Sequence, residues 1–189
     1  MGIGASAGGE SVLYDFVENL PRDVPAAYVV VRHLKRDHQS QMKFLISRHT
    51  TLPVFTIRDG EPIRENAIYL IPEHKDVFVT EGHFTLQDRS LTEGSAIDLD
   101  KFFTRLAHSS GCRAVAVLLS GIGADGATGL GAITSHGGLV IIQDPKDSKY
   151  DGEPETKVAS EYPNAILPAR VMGQRLAEYI RSSMTTPSE

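Results

Sequence analysis

Two rhythms of apolar residues alternate along the chain. "AAYVVV" (26–31) and "AVAVLL" (114–119) are unbroken apolar runs. Such runs mark strands covered on both faces. "PVFTI" (53–57) and "GGLVIIQ" (137–143) predict further strands. Between them the spacing changes. Val12, Leu13, Phe16, Val17 and Leu20 recur at helical intervals until Pro21, predicting a helix that the proline stops. Ile97, Phe102, Phe103, Leu106 and Ala107 share one face of a second helix, and the acidic Asp98 and Asp100 suit its first turn, where the dipole favours them. Further helices are predicted over about 40–49, 127–135, 155–161 and 169–182.

One stretch breaks the alternation. "AIYLI" (67–71), "DVFVT" (76–80) and "HFTLQ" (83–87) follow closely on one another, with Glu81-Gly82 between the last two. They read as short antiparallel strands with a tight hairpin. The chain therefore predicts an α/β fold: a doubly wound, mainly parallel sheet with helices on both faces and a small antiparallel hairpin at about 67–87. It reads as a single domain over 1–189 with a frayed tail at about 185–189. The "GI" before the first glycine turn looks like the end of a strand whose beginning is missing, as if cut from a longer protein.

Bulk composition narrows the function. With 19 Lys and Arg against 24 Asp and Glu, the net charge is −5, and no basic stripe invites nucleic acid. Cys112 is the only cysteine, so an internal disulfide is excluded and a reducing, cytoplasmic setting fits. The apolar runs are too short to insert into a membrane.

In open α/β sheets, sites form beyond the carboxyl ends of the strands. Three such ends are rich in candidate chemistry: "GIGASAGG" (2–9), "RHL" (32–34) and "SGIGADGATG" (120–129). The first satisfies two motifs. Gly2-x-Gly4-x-x-Ala7 fits a dinucleotide fingerprint, whereas Gly4-x-Ser6-x-Gly8 fits a nucleophile elbow. A dinucleotide reading wants an acidic residue after the second strand. Arg32 is there instead, which could hold a 2′-phosphate but leaves His33 unused. Asp125, inside the third loop, would be a poor neighbour for a pyrophosphate.

The nucleophile reading uses all three loops. Ser6 lies at a helix start, where free N–H groups can stabilise an oxyanion. His33 can take the serine proton, and Asp125 can hold the imidazole in its working tautomer. Singly, each has a plainer role: a helix cap, a strand-end residue, a turn before Gly126. Their convergence on one sheet edge favours catalysis. The remaining histidines, His38, His49, His74, His83, His108 and His136, have no metal-ligand spacing and read as surface or loop residues. Cys112, preceding a strand, reads as packing.

These blocks, with "IYLIP", "AIDLDKFF", "GGLVIIQDP" and "YDGEP", resemble in order the catalytic domain of chemotaxis protein-glutamate methylesterases, over about residues 2–168. The resemblance implies the same triad, Ser6, His33 and Asp125, with no metal and no organic cofactor. It implies hydrolysis of γ-glutamyl methyl esters on the cytoplasmic helices of chemoreceptors, with deamidation of receptor glutamines as a second activity. The rival expectation is a non-catalytic sensory module that keeps the fold. "GASAGG…RHL" is most similar to domains fused to a chemoreceptor methyltransferase. Two departures stand out. No phosphorylatable receiver domain precedes the match, and a loop usually reading Gly-Met-Pro is Gly152-Glu153-Pro154.

Overall fold

A computed structural model describes residues 1–5, 10–32, 39–89, 98–119, 126–147 and 166–185. Seven strands form the main sheet: β1 (Gly2–Ala5), β2 (Ala27–Arg32), β3 (Val54–Thr56), β4 (Ala67–Leu70), β7 (Val115–Leu118), β8 (Leu139–Gln143) and β9 (Ile166–Leu167). Their order is β3-β4-β2-β1-β7-β8-β9, and every pairing is parallel. β5 (Lys75–Thr80) and β6 (His83–Asp88) pair antiparallel in a separate ribbon. The helices are α1 (Glu10–Glu18), α2 (Gln39–Arg48), α3 (Leu99–Ser110), α4 (Ala127–Ser135) and α5 (Ala169–Thr185).

Alternate residues of each central strand enter different cores, because successive side chains leave a strand on opposite faces. Tyr28 and Val30 of β2, with Val117 of β7 and Ile141 of β8, pack with residues of α1, α2 and α5. Val29, Val31, Ala116, Leu118, Val140 and Ile142 pack with α3, α4 and the ribbon. This two-sided burial is why these strands read as unbroken apolar runs. α3 turns Leu99, Phe102, Phe103, Leu106 and Ala107 inward. Leu99 extends the predicted face; Ile97 lies outside the described residues.

The antiparallel part is smaller than the sequence reading placed it. Ala67–Leu70 is a main-sheet strand, parallel to both β2 and β3, and only Lys75–Asp88 forms the hairpin. All four residues of β4 are buried, the signature of a central parallel strand. At the hairpin tip, Glu81 and Gly82 both adopt positive φ, 49° and 77°, matching a type I′ turn that follows the twist of the strands. β9 was not anticipated; the helix expected at 155–161 and the tail from 186 lie outside the described residues. α5 continues to Thr185.

The hairpin is fastened to α3 by charge. The Asp76 carboxylate, 9% exposed, accepts from Arg89 Nε at 3.1 Å and is paired with Lys101 Nζ at 2.6 Å and Arg105 at 3.4 Å. The Arg105 guanidinium lies 3.7 Å from the Phe78 ring centroid, a favourable cation–π position. Burial alone would raise the Asp76 pKa, but hydrogen bonds and charge from Lys101 and Arg89 outweigh it and lower the pKa below 3.8.

Removing one member of a buried ion group strands its partners, at a cost of about 3 kcal/mol. Asp76→Asn should therefore lower unfolding stability by roughly that amount at pH 7. The folded pKa lies below the unfolded one, so the carboxylate's contribution is present above about pH 4 and is lost as pH falls through the folded value. Urea titrations of both proteins from pH 7 to pH 3 should show the gap closing below about pH 4; a gap independent of pH would mean the charge is not what stabilises.

Candidate active site

The parallel order β2-β1-β7 brings three carboxyl ends side by side. Ala5, the last residue of β1, is in register with Arg32, the last of β2. On the other side Gly4 is in register with Leu118, and Leu119 N–H donates to the Gly4 carbonyl at 2.9 Å. Neighbouring strands lie about 4.8 Å apart, so the loops leaving these ends begin within one narrow strip. Ser6 follows Ala5 in the chain, His33 follows Arg32, and Asp125 precedes Gly126, the N-cap of α4. Ser6, His33 and Asp125 themselves lie outside the described residues, as does Glu153.

The described residues do bear on the choice between phosphate cradle and nucleophile mount. The first glycine of a dinucleotide fingerprint makes the tight turn after the strand. Here both Gly2 and Gly4 lie within β1 as buried, extended strand. A Cβ on Gly2 would come 2.5 Å from Phe102 Cε1 and 2.9 Å from Phe103 Cε1. Gly2 is thus a packing glycine beneath two rings, and the fingerprint loses its turn residue.

Two polar side chains are buried at this edge, Arg32, which the sequence offered only to a 2′-phosphate, and Gln143, to which it gave no role. Arg32, 9% exposed, closes β2, and Gln143, 3% exposed, closes β8. Each ends an apolar run, "VVVR" and "VIIQ", which was the available signal. Asp98 behaves as expected of an N-cap, accepting from Lys101 N at 2.9 Å. Asp100 reaches farther: its Oδ1 accepts from Gly129 N of α4 at 2.7 Å.

Residues set aside on sequence grounds are away from this edge or on the surface. His49 meets Glu18 at 2.7 Å and stacks on Tyr14. His83 and His136 are exposed and bond nearby carbonyls. His108 meets His136 edge to face, and His74 adopts a φ of 57° in a turn. His38 lies outside the described residues. Cys112 is exposed, so the packing role expected for its side chain is corrected. It occupies the 3-10 turn Gly111–Arg113, whose Cys112 carbonyl accepts from the Tyr179 hydroxyl at 3.2 Å.

The profile of the CheB methylesterase family matches residues 1–176. The crystal structure of the Thermotoga maritima CheB methylesterase catalytic domain superposes with a TM-score of 0.83 at 27% identity, covering 94% of this chain and 96% of that one. A Pseudomonas putida protein-glutamate methylesterase/protein-glutamine glutaminase is 33% identical over 178 residues, 94% of this chain and 53% of that protein. An uncharacterized 104.1 kDa protein of Rhodobacter capsulatus is 36% identical over 141 residues, 74% of this chain but 14% of that protein. The chain thus spans about half the length of the methylesterase relatives it matches.

Gly126 gives this edge a sharp test. Its φ of 101° lies where L-residues are strained. Gly126→Ala should cost about 1–2 kcal/mol of stability, read as a lower urea midpoint at unchanged slope. Gly126→Asn should cost less, since asparagine tolerates left-handed backbone better. Equal midpoints for all three proteins would mean the α4 entry relaxes to ordinary backbone.

Proposed function

The chain belongs to the CheB methylesterase family, and from that premise we propose that it hydrolyses γ-glutamyl methyl esters of proteins through Ser6, His33 and Asp125. The observation that carries the reading is the parallel placement of β2, β1 and β7, whose carboxyl ends are followed in the chain by Ser6, by His33 and by the segment that holds Asp125, two residues before α4. It reads as one catalytic domain, working in the cytoplasm. Among the described residues no helix is long and apolar enough to cross a membrane.

The chemistry follows from the roles. Ser6 Oγ attacks the ester carbonyl while His33 takes its proton. Negative charge builds on the carbonyl oxygen, where N–H groups at a helix start can oppose it. The C–O bond to the methoxy group breaks, and methanol leaves with the proton from the imidazolium. Water then attacks the acyl-serine with His33 again as base, freeing glutamate and Ser6. Asp125 stabilises the imidazolium in both halves and fixes the tautomer. With a glutamine side chain the same steps release ammonia, which is the deamidation that the relatives' names describe. The natural substrate is taken to be methylated chemoreceptor helices, with no cofactor. The Rhodobacter relative extends far beyond the matched region, which is 14% of its length, and a domain of this kind suits fusion to others; a methyltransferase is the partner that the sequence resemblance implies.

Methanol release from methylated receptor membranes tests this. Ser6→Ala and His33→Ala should each lower the rate by on the order of 10⁶-fold, and the double variant should be scarcely slower than either. Asp125→Asn should cost on the order of 10⁴-fold by presenting the wrong tautomer. Turnover by folded Ser6→Ala near the wild-type rate would remove the serine from the mechanism. No release by the wild-type chain would favour the non-catalytic reading.

A further inference from the structure

α4 enters from the Asp125 loop without a cap of its own. Its N-cap is Gly126, which has no side chain to bond the free N–H groups of the first turn. Unmet donors at a helix start are ordinarily satisfied by a cap side chain on N2 or N3. Here the acceptor comes from another helix. Gly129, the third residue of α4, donates its N–H to Asp100 Oδ1 of α3 at 2.7 Å, a charge-assisted bond.

The contact also leaves no slack. A Cβ on Gly129 would fall 2.7 Å from Phe103 Cβ and 2.9 Å from the Asp100 carbonyl oxygen, so the two helices approach as closely as only a glycine allows. Asp100 rests on a fixed mount. Asp98 caps α3 at Lys101 N, and Lys101 and Arg105 of the same helix are held by the buried Asp76.

We propose that Asp100 is a positioning residue of the esterase site: by capping α4 from α3 it sets where the chain leaves Asp125, and so how Asp125 meets His33. The inference rests on the triad reading above. Three residues lie between Asp125 and the anchored Gly129, and a displacement of about 1 Å in a catalytic group is enough to cost one to two orders of magnitude in rate. A plain stabilising cap would leave catalysis in the folded molecules untouched.

The test compares wild type, Asp100→Ala and Asp100→Asn, each with Asp125 intact and as Asp125→Asn, by methanol release from methylated receptor membranes at temperatures where all are folded. Asp100→Ala should lower kcat about tenfold with KM unchanged. Asp100→Asn keeps a neutral acceptor for Gly129 N–H and should recover most of that loss. A carboxylate beside a histidine raises its pKa, so weakening the Asp125 contact should move the acid limb of kcat/KM to lower pH in Asp100→Ala. In the Asp125→Asn background, Asp100→Ala should have no further effect. An equal loss in both backgrounds, or a loss with the acid limb unmoved, overturns the inference. Should wild type release no methanol, the proposed function fails by itself. Amide exchange then decides the anchoring: Asp100→Ala must speed exchange at Gly129 and the first turn of α4, and unchanged protection there overturns it.

Discussion

The pairing of β1 with a parallel neighbour on each side is the constraint on which everything else depends. Parallel neighbours end on the same edge, so one geometric fact sends the chain after β1, β2 and β7 toward a common strip of surface. Hydrophobic alternation does not set this register, because both faces of these strands are apolar and a one-residue slip would bury equally greasy rows. Size does. Gly2 fits under Phe102 and Phe103 where no side chain would. A slip would put Ile3 there, and overpacking of that kind costs about 1–3 kcal/mol or more.

Behind the site, two kinds of force divide the labour. α3 buries five apolar side chains, of which Leu99, Phe102, Phe103 and Leu106 each contribute about 1.5–3 kcal/mol relative to exposure. That is ample to hold the helix down, but apolar contact is non-directional and leaves rotation about the helix axis poorly defined. Directional contacts supply what is missing. Asp76 takes hold of α3 through Lys101 and Arg105, and Asp100 takes hold of α4 through Gly129. The hairpin, remote in sequence from every candidate catalytic residue, is thereby joined in two steps to the helix that follows Asp125. The ions contribute little net stability for what their desolvation costs; their value here is orientation.

Much of this was legible in the residues. The buried strands announced themselves as apolar runs because both of their faces meet core, and α4 was bounded correctly at Ala127 and Ser135. What failed had physical reasons. Ala67–Leu70 was grouped with the hairpin because a four-residue apolar strand carries no mark of its direction; only its partners β2 and β3 supply it. β9, at two residues, is shorter than any period can register. Asp100 looked like a helix-start acid, as it is, but its acceptor role depends on a backbone N–H 29 residues away, which no local spacing encodes. Gln143 was visible only as a polar residue closing an apolar run, a signal as common at ordinary strand ends as at sites, and Arg32 only in the dinucleotide reading. Ser6, His33 and Asp125 were legible from their motifs alone, and all three lie outside the described residues.

The glycines of "GIGASAGG" show why motif and function separate. Glycine-rich strand-to-helix turns serve any ligand that must approach backbone N–H groups closely, a pyrophosphate and an oxyanion alike, because both are anions seeking the same unpaired donors. Counting glycines cannot distinguish them. The distinction lies in where the strand stops. If Gly2 made the turn, the free donors would face a ligand with room for two phosphates. Because β1 runs on through Ala5, Gly2 and Gly4 lie within the strand, and the next residue in the chain carries a hydroxyl. Three residues of extra strand thus take the dinucleotide fingerprint's turn glycine out of the turn.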